Sequence, residues 1–279
     1  MKKLLAIERK VYEIIPETGS YQVYDDGDWS STATGTIIPS INKVYVTTTF
    51  NNLWELSLTD HSTRKISWDG WGTCNALVPV PTTDDDSNSN TKYNLFAFCH
   101  KLWLIDDLNT GHCVDFLGGY TNVWTRVNAA TAIDDKIYCT TSANNLWCID
   151  TSPSKEDPKK LGGGSDNWSV CKSLINVNGM LLAFCYWLWK VDKDDGTCKP
   201  FFDDDDENSK RNWLSFKCAT VIDNNVYIVF GSQLLELDTV TKKIREVSNE
   251  NWNLTTLSII LTDYFLWSSA KKYHLNLHI

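Results

Sequence analysis

Short apolar runs of four to seven residues recur along the whole chain, each separated from the next by a polar turn. "KVYVTTT", "LFAFC", "KIYCTT", "LLAFC" and "NVYIVF" are rich in β-branched and aromatic residues and carry no 3.6-residue periodicity, so they predict strands. Each is followed by a near-identical second run, "NNLWELS", "HKLWLID", "NNLWCID", "YWLWKVD" or "SQLLELD", in which apolar and polar positions alternate. With Tyr12 in "RKVYEII" and Tyr273 in "KKYHLNL" as outer members, the markers Trp54, Trp103, Trp147, Trp189 and Leu235 are spaced by 42, 49, 44, 42, 46 and 38 residues. Such self-similarity at a fixed period defines a repeat architecture.

A second tryptophan series runs in step with the first. Trp29, Trp71, Trp124, Trp168, Trp213 and Trp252 each end a polar turn ("DGDW", "WDGW", "TNVW", "SDNW", "KRNW", "NENW"). A strand-like run precedes each turn ("YQVYDD", "RKISWDG", "HCVDFLG") and another follows it ("TGTIIPSI", "NALVPV", "KCATVID"). Every period therefore holds four short strands and no amphipathic helix, which excludes βαβ architectures. One meander cannot bury both of its faces, whereas a closed ring of meanders can. The expected fold is all-β: a single closed β-propeller of four-stranded blades spanning residues 1–279, with N- and C-terminal strands closing the ring. Seven runs of the "KIYCTT" type and seven of the "NNLWCID" type favour seven blades. The competing count is six, with "TTLSIIL" completing the N-terminal blade and two strands left over.

Composition narrows the function classes. A formal charge of −9 on 279 residues provides no basic footprint, so nucleic-acid binding and attachment to anionic membranes are not expected. No apolar run reaches the length of a membrane-spanning helix, and the four apolar residues before Glu8 are too few for a signal-peptide core. Nine cysteines form no CxxC pair and several sit inside apolar strands, which predicts free thiols and a cytoplasmic, reducing setting. Catalytic signatures are missing: no sialidase-type Asp box, HExxH, GxSxG or Gly-rich phosphate loop occurs. The chain is thus expected not to be an enzyme and to need no cofactor. Acidic turns at 25–28, 84–86, 192–196 and 203–208 lack EF-hand spacing and are read as solvated loops, with no metal assigned.

The two tryptophan series carry different expectations. The Trp54 series lies mid-strand, where alternation points to packing between blades. The turn-end series stands beside acids and amides. Trp29, Trp71, Trp124, Trp168, Trp213 and Trp252, with Asp28, Asn167, Asn212 and Asn251, are the candidate ligand-binding residues. Aromatic faces next to such groups suit sugar rings; wedging between blades is the packing alternative.

The repeat skeleton, an aliphatic–Trp strand, a polar turn and a second Trp, resembles the tectonin group of propeller lectins over nearly the whole chain. That resemblance implies glycan binding at repeated sites. Kelch propellers are a second resemblance, although the kelch Gly-Gly after the second strand is absent, and the WD dipeptide of WD repeats occurs once, at Trp68–Asp69. The expected function is a multivalent, non-catalytic lectin. The alternatives are a protein-interaction scaffold and, after it, a propeller glycoside hydrolase with acids at the channel mouth. Expected partners are glycans or a protein.

Overall fold

The computed structural model describes residues 3–7, 9–25, 27–67, 70–82, 92–118, 123–152, 156–161, 168–203, 205–248 and 258–262. These contain six antiparallel four-stranded sheets, arranged as the blades of a β-propeller. From the axis outward, blade 1 is Ser258–Thr262, Lys3–Ile7, Val11–Ile14 and Tyr21–Asp25; blade 2 is Thr32–Ile38, Lys43–Thr48, Leu53–Ser57 and Thr63–Ser67. Blade 3 is Ala76–Thr82, Lys92–Phe98, Leu102–Asp107 and His112–Asp115; blade 4 is Val127–Ile133, Lys136–Thr141, Asn145–Asp150 and Lys159–Leu161. Blade 5 is Ser173–Val177, Met180–Phe184, Leu188–Val191 and Cys198–Pro200; blade 6 is Phe216–Ile222, Asn225–Phe230, Gln233–Asp238 and Ile244–Ser248.

The six inner strands touch one another in a closed cycle, with Ser258–Thr262 lying between the inner strands of blades 6 and 2. That strand pairs antiparallel with Lys3–Ile7, from Lys3↔Thr262 to Ile7↔Ser258. The blade count is therefore six and not the favoured seven. The ring is complete once "SIILT" fills the inner position of the N-terminal blade, the closure considered in the competing count. The runs that argued for a seventh blade, "YFLWSS" and "KKYHLNL" with Tyr273, lie outside the described residues.

Burial follows position within the blade. Second strands are sandwiched between neighbouring blades on both faces and are buried almost throughout, as in Lys43–Thr48 and Lys136–Thr141. This explains their near-continuous apolar character, since a strand covered on both faces has no polar side. Outer strands such as Tyr21–Asp25 and Cys198–Pro200 are largely exposed. The core consists of six separate clusters, one per blade interface. Leu5, Ile7 and Val11 of blade 1, for example, pack against Val44, Val46 and Leu56 of blade 2. Asn and Asp at positive φ (Asn42 52°, Asp134 54°, Asn178 51°, Asp223 53°) turn the inner strand into the second in four blades. Their short polar side chains tolerate the left-handed conformation that such hairpins need.

All nine cysteines are free thiols. Among the described residues no helix is long and apolar enough to cross a membrane, and no group of three or more His, Cys, Asp or Glu side chains is placed to hold a metal ion. In the acidic turn at 192–196 the Asp192 carboxylate accepts hydrogen bonds from its own turn, from the Asp194 amide (2.8 Å) and the Asp195 amide (3.4 Å).

Candidate functional site

The turn-end tryptophans build one local structure at the entry to blades 2 to 6. Trp71, Trp124, Trp168 and Trp213 each begin a one-turn 3₁₀ helix leading into the inner strand. Trp29 makes the equivalent bond without a full helix, its carbonyl accepting from the Thr32 amide at 2.9 Å. All five indoles are buried, from 0% exposure at Trp124 to 6% at Trp29. Each belongs to the cluster between its own blade and the preceding one: Trp29 between blades 1 and 2, Trp213 between blades 5 and 6. These indoles wedge adjacent blades together and present no open ring face on which a sugar could stack. The polar residues before them do face solvent. Asp28 and Asn212 are exposed, and hydrogen bonds from Ser30 hold the Asp28 carboxyl below its ordinary range. Trp252, Asn167 and Asn251 lie outside the described residues.

The mid-strand series occupies the opposite environment. Trp54, Trp103, Trp147 and Trp189 are half-buried, and only Leu235 at the equivalent position is fully covered. The cause is radial position. A third-strand side chain enters the inter-blade groove near its outer margin, while a turn-end Trp enters it close to the axis. The two series meet edge to face, Trp29 on Trp54 at 6.3 Å and Trp124 on Trp147 at 6.0 Å. Expectation and structure thus exchange the two series: the one read as packing supplies the partly open rings.

The "NN" preceding two of these tryptophans also has a structural task. Asn51 and Asn144 adopt positive φ (63° and 62°). Their side-chain carbonyls accept from the Gly72 amide (2.8 Å) and the Ser169 amide (3.1 Å) in the Trp turn of the next blade. A Cβ at residue 72 would come within 2.3 Å of Asn51 Oδ1 and 2.9 Å of the Thr49 carbonyl oxygen, so glycine lets this turn sit closer than the Ser169 turn of blade 5. In blade 5, Tyr186 holds that position, and its main-chain carbonyl accepts from the Trp213 amide at 3.1 Å.

Two aromatic-walled pockets open on one rim of the propeller, the rim carrying the hairpins between second and third strands and the connections between blades. The pocket at blades 1 and 2 has a volume of about 290 Å³ and is lined by Asp25, Gly27, Asp28, Trp29, Thr48, Phe50, Asn52 and Trp54, among others. Phe50, at the hairpin tip, is 74% exposed. The Lys65 ammonium lies 5.8 Å from the Trp54 ring centre. Two buried polar atoms of its lining residues, Trp29 Nε1 and Thr48 Oγ1, have no hydrogen-bond partner, an arrangement that costs free energy unless something supplies one. Gly27 packs close to the buried Trp29 Nε1, and a Cβ there would lie 3.2 Å from it.

The second pocket, at blades 5 and 6, has a volume of about 330 Å³ and is lined by Trp187, Leu188, Trp189, Pro200, Phe202, Asn208, Ser209 and Trp213. Trp187 is 45% exposed and its neighbour Tyr186 also reaches solvent. The Arg211 guanidinium stands 5.7 Å from the Trp213 ring centre. Phe50, Tyr186 and Trp187 were not among the sequence candidates. Their signal was available: a lone aromatic in the polar tip "TTTFNN", and three aromatics in "YWLW", where adjacent residues must face opposite ways.

At the axis on the same rim, the channel mouth is lined by the start of the inner strands of blades 2 to 6, and no carboxylate contributes to that lining. The paired acids that a retaining or inverting glycosidase uses are therefore not assembled there by the described residues.

No protein-family model matches the chain, and no curated protein matches it. Among solved structures, one chain from a crystal structure of a nidogen/laminin complex is similar with a TM-score of 0.69 at 10% identity, covering 94% of this chain and 98% of that one. A structural genomics protein of unknown function from Bacteroides thetaiotaomicron VPI-5482 gives 0.57 at 13% identity, over 94% of this chain and 70% of that one. The tricorn protease gives 0.58 at 12% identity, over 90% of this chain and 26% of that one. At such identities the likeness concerns the fold. The protein is a β-propeller, and the tectonin resemblance remains one of repeat skeleton.

Proposed function

We propose that the protein is a non-catalytic carbohydrate-binding propeller whose sites are the two aromatic rim pockets. The observation carrying this reading is the pocket at blades 1 and 2. There a partly open Trp54 and an exposed Phe50 share one pocket lining with Asp25, Asp28 and Asn52. Sugars bring apolar CH faces for the rings and hydroxyls for such donors and acceptors, and a volume near 300 Å³ is at the small end of ligand sites. Two weak sites on one rim gain avidity on a multivalent glycan. Nine free thiols support a reducing, cytoplasmic setting.

Glycan-array binding with purified protein tests this reading. Wild type is expected to bind at least one glycan class, and Trp54→Ala and Trp187→Ala each to weaken binding about tenfold, the loss of roughly one aromatic contact. Their urea midpoints should stay close to wild type, because both rings are already partly exposed. A blank array overturns the proposal, as does unchanged binding by both variants. A protein partner is the second reading, favoured by the exposed rings of Phe50, Tyr186 and Trp187 on one rim. It predicts a blank array and a pull-down that depends on those same residues.

A further inference from the structure

The mouth of the central channel has a composition unlike the rest of the molecule. Five equivalent positions, each four residues after a turn-end Trp, line it: Ala33, Asn75, Asn128, Lys172 and Lys217. The cavity measures about 220 Å³. Acids outnumber bases in the chain by 35 to 26, yet lysines from two adjacent blades line this mouth and no carboxylate among the described residues joins them. Among the described residues, every ion pair lies elsewhere and neither ammonium is paired with a carboxylate. Two positive charges on one mouth without a carboxylate favour an anion there.

The asparagines extend the same lining. Asn75 Nδ2 donates to the Thr125 carbonyl at 3.1 Å. Asn128 Nδ2 donates to the Ser169 carbonyl at 2.9 Å and the Trp168 carbonyl at 3.3 Å. Each amide nitrogen is thus committed to the next blade, which fixes the side chain and leaves its carbonyl oxygen as an acceptor. Thr34 also lines the mouth. Fixed acceptors on one side and two ammonium groups on the other match a small molecule bearing hydroxyls and one oxyanion.

We infer that the channel mouth is a binding site for a small hydroxylated anion, a carboxylate or phosphate monoester of monosaccharide size, held by Lys172 and Lys217 through charge-assisted hydrogen bonds. This site is separate from the rim pockets and does not depend on them.

Isothermal titration of the full chain at low salt, with glucuronate, glucose 6-phosphate and glucose as probes, tests it. Glucuronate or glucose 6-phosphate is expected to bind while glucose does not. Raising the salt should weaken binding, as screening of solvent-accessible charges requires. The double variant Lys172→Met/Lys217→Met should lose at least about tenfold in affinity, and each single variant several-fold. Both lysines are exposed, so these variants should keep the wild-type circular dichroism and urea midpoint; Trp54→Ala should bind the anion as wild type does. No heat with either anion at about 10 mM overturns the site, and so does undiminished affinity in a folded double variant.

Discussion

Blades 2 and 4 are built on the same plan, and their differences locate the pocket. Each sets a turn-end Trp edge-on against a mid-strand Trp, at 6.3 Å for Trp29–Trp54 and 6.0 Å for Trp124–Trp147. What presses on that pair from the preceding blade differs. Strand register makes Phe98 of blade 3 equivalent to Ile7 of blade 1, and a bulge sets Tyr24, which packs in the cluster, and Asp25, which lines the pocket, where blade 3 has Phe116 alone. Phe98 meets Trp124 edge to face at 5.8 Å, and Phe116 packs in the same cluster. Ile7 and Asp25 are smaller, and at Trp29 an open pocket remains. A pocket thus arises where a repeat omits part of its own packing.

The largest effect should come from breaking the interface at Trp124. Trp124→Ala removes a fully buried indole and is expected to cost about 3–5 kcal/mol, with Trp29→Ala at the bottom of that range because its site is already partly open. Equilibrium urea unfolding of the two variants checks the order; equal losses would remove the distinction between the interfaces. Next, Asp25→Phe gives blade 1 the residue that blade 3 carries. The added ring should fill the pocket and abolish glycan binding there while changing stability by about 1 kcal/mol or less. An array compared with the urea midpoint separates the two effects, and retained binding would show that the pocket is not the site.

The smallest effect concerns a polar row that the blades share except at one place. Blade 2 aligns Lys43, Tyr45, Glu55 and Arg64, where blade 4 aligns Lys136, Tyr138, Cys148 and Lys159. Burial pushes the Glu55 carboxyl up, but hydrogen bonds from Lys43 and Arg64 outweigh it, and the group sits below its ordinary value. A carboxyl depressed in the folded state stabilises above its unfolded value of about 4.3 and loses that contribution as pH falls through the lower folded value. Wild type should therefore lose slightly more stability on acidification than Glu55→Gln, by less than about 1 kcal/mol. Urea midpoints at neutral and acid pH measure the difference, and parallel losses would refute it.

The architecture could be read from residues because a propeller repeats a burial problem. "KIYCTT" and "NVYIVF" must be apolar on both faces, and that requirement recurs at every interface. Blade number was harder, since apolar runs at 263–279 look like strands and only the pairing of Ser258–Thr262 with Lys3–Ile7 decides the closure. The exposure of the turn-end tryptophans could not be read from the sequence, for a geometric reason. A Trp after a polar turn has the same sequence neighbours whether its ring turns inward or outward, and here Asp28 takes the outward direction and Trp29 the inward one. Radial distance from the axis decides exposure, and local context does not encode it.

Closure by Ser258–Thr262 also sets a clock. The three N-terminal strands of blade 1 leave the ribosome first, yet the strand that covers the inner edge of Lys3–Ile7 is made about 250 residues later. At roughly 5–20 residues per second that interval is about 12–50 s. Throughout it an apolar edge stands open to any other strand. The ring is thus most exposed to mispairing during synthesis, at the seam that later holds it shut.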